Sequence, residues 1–178
     1  MPRVILHAIA FVILSLGASC VDEDASANFA LQLSIDASPD VDATSILLRP
    51  GNVRLHVAGT PRAAGWTPED LNDSYWTPLA TKPESVDLLS IPLEGFVTVA
   101  QSSAPAAIYD HIYLEVDELQ AKTADGTTIP CKNVIEPIAI ELDLLTAQSA
   151  RVNLELYIAA NWPEDGHCSV LAKKASLL

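Results

Sequence analysis

Residues 107–119 read AIYDHIYLEVDEL, and their reading decides the fold. Ile108, Ile112, Leu114 and Val116 fall on one side of an alternating chain; Tyr109, His111, Tyr113, Glu115 and Asp117 fall on the other. A period of two is the signature of a β-strand with one buried face. Asp110 breaks the pattern, an acid on the apolar side. The step from Ala107 to Tyr109 has the spacing of a tyrosine corner, in which a phenolic hydroxyl ties a strand to the loop before it.

The same alternation extends in both directions. In FALQLSID (29–36), Phe29, Leu31, Leu33 and Ile35 share a face. In NVRLHVAG (52–59), Val53, Leu55 and Val57 point inward, with Arg54 and His56 outward. TSILLR (44–49) stops at Pro50-Gly51, and the runs SVDLLSIPL (85–93) and FVTVA (96–100) are separated by Glu94-Gly95. Asp125-Gly126 is a hairpin signal that leads into TTIPCKNV (127–134). PIAIELDLL (137–145) and ARVNLELYIAA (150–160) hold the period again. No segment sustains a 3.6-residue repeat, and no internal repeat is visible. The pattern predicts an all-β chain, a single antiparallel β-sandwich of about seven to nine strands over residues 29–178.

The first 20 residues, MPRVILHAIAFVILSLGASC, have a different character. Arg3 and the amino terminus form a short positive region, and Val4 to Leu16 is apolar apart from His7 and Ser15. This is signal-peptide length, short of the roughly 20 apolar residues of a membrane span. Ala18, Ser19 and Cys20 then resemble a bacterial lipobox, with Gly17 where that pattern prefers Leu. The resemblance implies cleavage before Cys20 and acylation of its sulfur and amine. An ordinary signal cut after Cys20 or Ala27, or a retained anchor, are the other readings. The apolar run and the small residues end together at the cysteine, which favours the lipobox. The domain organisation that follows is a lipoprotein signal peptide at 1–19, an acidic spacer at 20–28 (CVDEDASAN) and the β-domain from 29 onward. Val21 rather than Asp follows the cysteine, so the implied position is the outer membrane or cell surface if the source has two membranes.

Three cysteines are present: Cys20, Cys131 and Cys168. An odd thiol is a liability in an exported protein, and lipidation of Cys20 would leave one pair in an oxidising compartment. Cys131 and Cys168 are either that disulfide, closing 37 residues, or two buried thiols. Their polar, turn-like settings, IPCKN and EDGHCSV, favour the disulfide, and the lack of any CxxC argues against redox or zinc chemistry at the cysteines. Once Arg3 leaves with the signal, nine basic residues face 23 acidic ones, a formal charge of −14. Nucleic acid and anionic lipid need a basic footprint and are not the expected partners.

Catalytic motifs are absent: no HExxH, GxSxG, P-loop or GxGxxG. His56, His111 and His167 lie in separate segments, so any site built from them must be assembled by the fold, and solvated histidines are the simpler reading. No cofactor is predicted. Asp36, Asp40 and Asp42 could offer oxygens to Ca²⁺, but the spacing is not that of an EF-hand loop and a solvated acidic turn fits better. Trp66, Tyr75 and Trp76 cluster in the long irregular stretch 59–84. Exposed, they are candidate ligand-binding aromatics for a sugar or a protein; buried, they close the core.

Several of these segments resemble a family of bacterial lipoprotein domains of unknown function, DUF forty-three eighty-two, itself similar to transthyretin-like or immunoglobulin-like sandwiches. The corresponding stretches are SIDASPDV with Ser38 before Pro39, NVRLHV, YWTPL, SVDLLSI with Asp87, Leu88 and Leu89, and PAAIYDHIYLEVDEL. In the last, Pro105, Ala106, Tyr109, Ile112 and Leu114 match, and Ala107 replaces a glycine. The resemblance spans residues 29–158 and implies a sandwich and an envelope location, with no established activity. The expected function is a cell-envelope lipoprotein carrying a non-catalytic binding or interaction module. It would be held to the membrane through Cys20, with a protein or carbohydrate partner. A structural subunit of an envelope assembly and a surface hydrolase are the alternatives.

Overall fold

The computed structural model describes residues 25–36, 43–60, 71, 73–161 and 167–178. The lipobox with Cys20 lies outside them, as do Asp40, Asp42 and Trp66. The chain runs through β1 (Ser26–Ile35), β2 (Ser45–Val57), β3 (Trp76–Leu79), β4 (Val86–Asp87), a 3-10 turn (Leu88–Ser90), β5 (Val97–Pro105), β6 (Ile108–Lys122), β7 (Thr128–Asn133), β8 (Ile138–Asp143), β9 (Ser149–Asn161) and β10 (His167–Leu177). The all-β expectation holds: the described residues contain no α-helix.

The antiparallel sandwich does not hold. The strands form one mixed sheet in the order β3-β2-β6-β7-β10-β9-β1-β5, with β4 also on β2 and β8 also on β6. Two ladders are parallel, β1 with β9 and β7 with β10. The reason is β7. Its first half pairs antiparallel with β6 at Thr128–Pro130, and its second half pairs parallel with β10 at Cys131–Asn133. Two layers that would otherwise only pack face to face are thereby joined by backbone hydrogen bonds. The sheet curls nearly into a barrel. Its seam is unsealed where β3 meets β5, at the two ends of the strand order, and is bridged nearby by the Lys82 N–H to Val99 O bond of 2.8 Å.

One core fills the interior. Phe29, Leu31, Leu33 and Ile35 from β1 are all buried, as their alternation predicts, and meet Leu48, Val53 and Leu55 from β2 and Val152, Leu154 and Leu156 from β9. β1 starts at Ser26, three residues before the predicted strand, because Ser26 pairs with Pro105 and Ala27 is buried. The run SVDLLSIPL supplies only the short β4. Asp87 then turns the chain: its carboxylate accepts from Leu89 N at 3.1 Å and from Ile46 N at 3.0 Å, capping the 3-10 turn and tying it to β2. The predicted hairpin is present, with Gly126 at φ +86° and its N–H on Thr123 O at 3.0 Å.

The tyrosine corner is also present. Tyr109 Oη donates to Pro105 O, four residues upstream, at 2.9 Å. Its ring is buried, whereas Ile108 is exposed, the reverse of the alternation read from the sequence. Asp110 is the cause. On β6, Tyr109 and His111 pair with the adjacent β2 residues Val57 and His56, so Asp110 is an extra residue with no opposite number. A β-bulge of this kind shifts the side-chain alternation by one. Tyr109 faces inward before it, and Ile112 and Leu114 face inward after it.

Candidate functional site

The bulge brings together three residues that the sequence keeps in two distant strands. His56 stands between two register partners, His111 on β6 and Trp76 on β3. Asp110 Oδ1 lies within hydrogen-bond distance of both imidazoles, 2.7 Å from His56 Nδ1 and 2.9 Å from His111 Nδ1. The His56 and His111 ring centroids are 6.0 Å apart at 85°, and the Trp76 ring lies 5.0 Å from His56. One donor atom from each of His56, Asp110 and His111 lies within 4.8 Å of the other two.

The three differ in exposure. The His56 side chain is fully buried, His111 is nearly so, and Asp110 is 37% exposed. Beside Asp110 and His111 the wall opens into a groove of about 650 Å³. β8 pairs with β6 and forms no ladder with the end of β10, and Ala139 and Glu141 line the groove together with Ser176 and Leu177. Burial pushes the Asp110 carboxyl up. The hydrogen bonds and charges of His111 and His56 outweigh that, and the group titrates below the ordinary carboxylate range.

Thr60 extends the line on the far side of His56. Its Oγ1 is 3.3 Å from His56 Nε2 and donates to Val57 O at 2.6 Å. Hydroxyl, imidazole and carboxylate thus stand in the order of a hydrolase relay. The hydroxyl has one proton, however, and the shorter bond places it on the carbonyl, so Thr60 offers Nε2 a lone pair rather than a hydrogen.

The residues singled out from the sequence are dispersed. Cys131 and Cys168 form the expected disulfide, with Cα atoms 4.6 Å apart. Asp36, one of the three calcium candidates, faces Lys173 as an ion pair, and that ammonium group holds its carboxyl below the usual range. Tyr75 is half-buried and Trp76 is 4% exposed, so Trp76 is a wall of the histidine site rather than an open platform. The polar trio was missed because alternation put His56 and His111 on a solvated face and left Asp110 as an anomaly. That anomaly, an acid on the apolar side next to a histidine, was the available signal. Comparison with protein-family models, curated proteins and solved structures finds no match for the chain.

Proposed function

We propose that this chain is an exported envelope lipoprotein, held to a membrane by acyl groups on Cys20, whose barrel-like domain is a non-catalytic binding module of the DUF forty-three eighty-two kind. The observation that carries the reading is the Cys131–Cys168 disulfide. It accounts for two of three cysteines and leaves Cys20, at the end of a signal-like apolar run, as the third. Two or more acyl chains give stable attachment where one does not. Val21 after the cysteine favours the outer membrane or surface in a two-membrane source.

For the module itself, support comes from a second groove, of about 360 Å³, on the outer side of β1 and β9. Ser34, Asp36, Asn153 and Glu155 line it beside Phe96, a residue 56% exposed. Hydroxyl, amide and carboxylate groups next to an open aromatic face suit a sugar, and an exposed ring equally suits a protein partner. A hydrolase draws support from the Thr60–His56–Asp110 order, and the bond from Thr60 to Val57 O weighs against it.

Metabolic labelling with a fatty-acid analogue tests the anchor. Wild-type chain takes up label and Cys20→Ala does not; equal labelling of the two contradicts the proposal.

A further inference from the structure

We propose that His56, Asp110 and His111 bind one divalent transition-metal ion of the zinc class, through Nδ1 of each imidazole and Oδ1 of the carboxylate. Two imidazole nitrogens and one carboxylate oxygen are a donor set that such ions favour, with a coordination position left for water. The site is built on strands rather than a loop. His56 and His111 are register partners, and the bulge at Asp110 turns its carboxylate onto the same point.

The hydrogen bonds of Thr60 suit the same role. Thr60 gives its hydrogen to Val57 O and can accept one from His56 Nε2, the bond that an imidazole ligating through Nδ1 makes. With the ring hydrogen on Nε2, Nδ1 presents a lone pair beside Asp110 Oδ1, 2.7 Å away. Two acceptors so close need a positive charge to share, a proton or a metal ion. A proton on Nδ1 serves one nitrogen–oxygen pair. A metal ion serves both nitrogens and the oxygen at once, and His111 Nδ1 already converges on that oxygen at 2.9 Å. Thr60 is then the outer partner that fixes the tautomer of a ligating imidazole, as such ligands usually require.

Access and charge are both suitable. Asp110 is 37% exposed and borders the groove between β8 and the end of β10, so an ion and a completing water can enter there. Donors around a tetrahedral zinc at about 2.0–2.1 Å stand about 3.3 Å apart, so each nitrogen–oxygen distance at Asp110 must open by about half an ångström. Asp110, on a bulge and part-exposed, is the member able to move. On binding, each ring keeps one hydrogen, on Nε2, and any hydrogen on Nδ1 passes to solvent as a proton or moves to Nε2. A formal chain charge of −13 draws cations toward the surface.

The test is a calorimetric titration of Zn²⁺ into the full chain, disulfide intact, stripped of metal and carrying no polyhistidine tag. The expected result is one equivalent per chain. Asp110→Asn, His111→Gln and Thr60→Val should each weaken binding by about tenfold or more. Melting in chelator checks that the variants fold. If they do not, imidazole NMR of the wild type decides: zinc must shift His56 and His111 and leave His167 in place. No saturable binding by the wild type, wild-type affinity in the folded Asp110 and His111 variants, or a shift at His167 instead, overturns the proposal.

Discussion

Cys131 on β7 and Cys168 on β10 are register partners in the parallel ladder that joins the two halves of the sheet. The cross-link sits where β7 leaves β6 for β10, so it locks the strand that makes the sheet continuous. It closes 37 residues, which a chain-entropy estimate values at about 3–4 kcal/mol. Reduction, or Cys131→Ala with Cys168→Ala, should lower stability by that amount in urea unfolding. An unchanged midpoint under reductant would contradict this role.

The tyrosine corner makes a smaller, cleaner prediction. Tyr109→Phe removes the hydroxyl that bonds Pro105 O and leaves the buried ring in place. The cost should be about 1 kcal/mol, read as a lower urea midpoint at constant slope. A midpoint equal to wild type would mean that the β5–β6 corner is held by the ring alone.

Gly51 interrupts the β2–β6 register and lies against β6 side chains. A Cβ there would stand 2.7 Å from Asp117 Oδ1 and 2.9 Å from Glu115 Cγ. Gly51→Ala should destabilise by about 1–3 kcal/mol, the usual range for overpacking, although alanine ordinarily suits a strand better than glycine. A neutral or stabilising substitution would show that both acids swing aside without cost.

Acid sensitivity has a local source at the β8–β9 turn. Asp143 accepts from Thr146 Oγ1 at 2.9 Å and from the Leu145 and Thr146 amides, which hold its carboxyl below its ordinary value of 3.8. A carboxyl depressed in the folded state stabilises above its unfolded value, and that contribution is lost as pH falls through the folded one. Asp143→Ala should therefore be less stable than wild type at pH 7, and the gap should close toward pH 2. A gap that stays constant across that range, in paired urea titrations, would rule out the carboxylate as its origin.

Local structure was legible in the sequence where the backbone signal was local. The alternation of Phe29, Leu31, Leu33 and Ile35, the hairpin at Asp125-Gly126 and the corner at Tyr109 depend on neighbours within a few residues, and all appear. Pairing partners were not legible. Nothing within β1 specifies that it lies parallel to β9, and nothing in IPCKN specifies that β7 changes partners midway. The face of a strand follows from alternation only while the register is unbroken. One extra residue, Asp110, buries Tyr109 and sets His111 against His56, and the candidate site depends on that shift.

In the proposed function the three cysteines divide the labour: Cys131 and Cys168 close the barrel-like sheet, and Cys20 would carry the anchor. The most direct test is mass spectrometry of the chain extracted from membranes and digested without reduction. The account predicts an amino-terminal peptide that begins at acylated Cys20, together with a linked peptide joining Cys131 to Cys168. A chain that begins at any other residue, or Cys20 found bonded to Cys131 or Cys168, would contradict it.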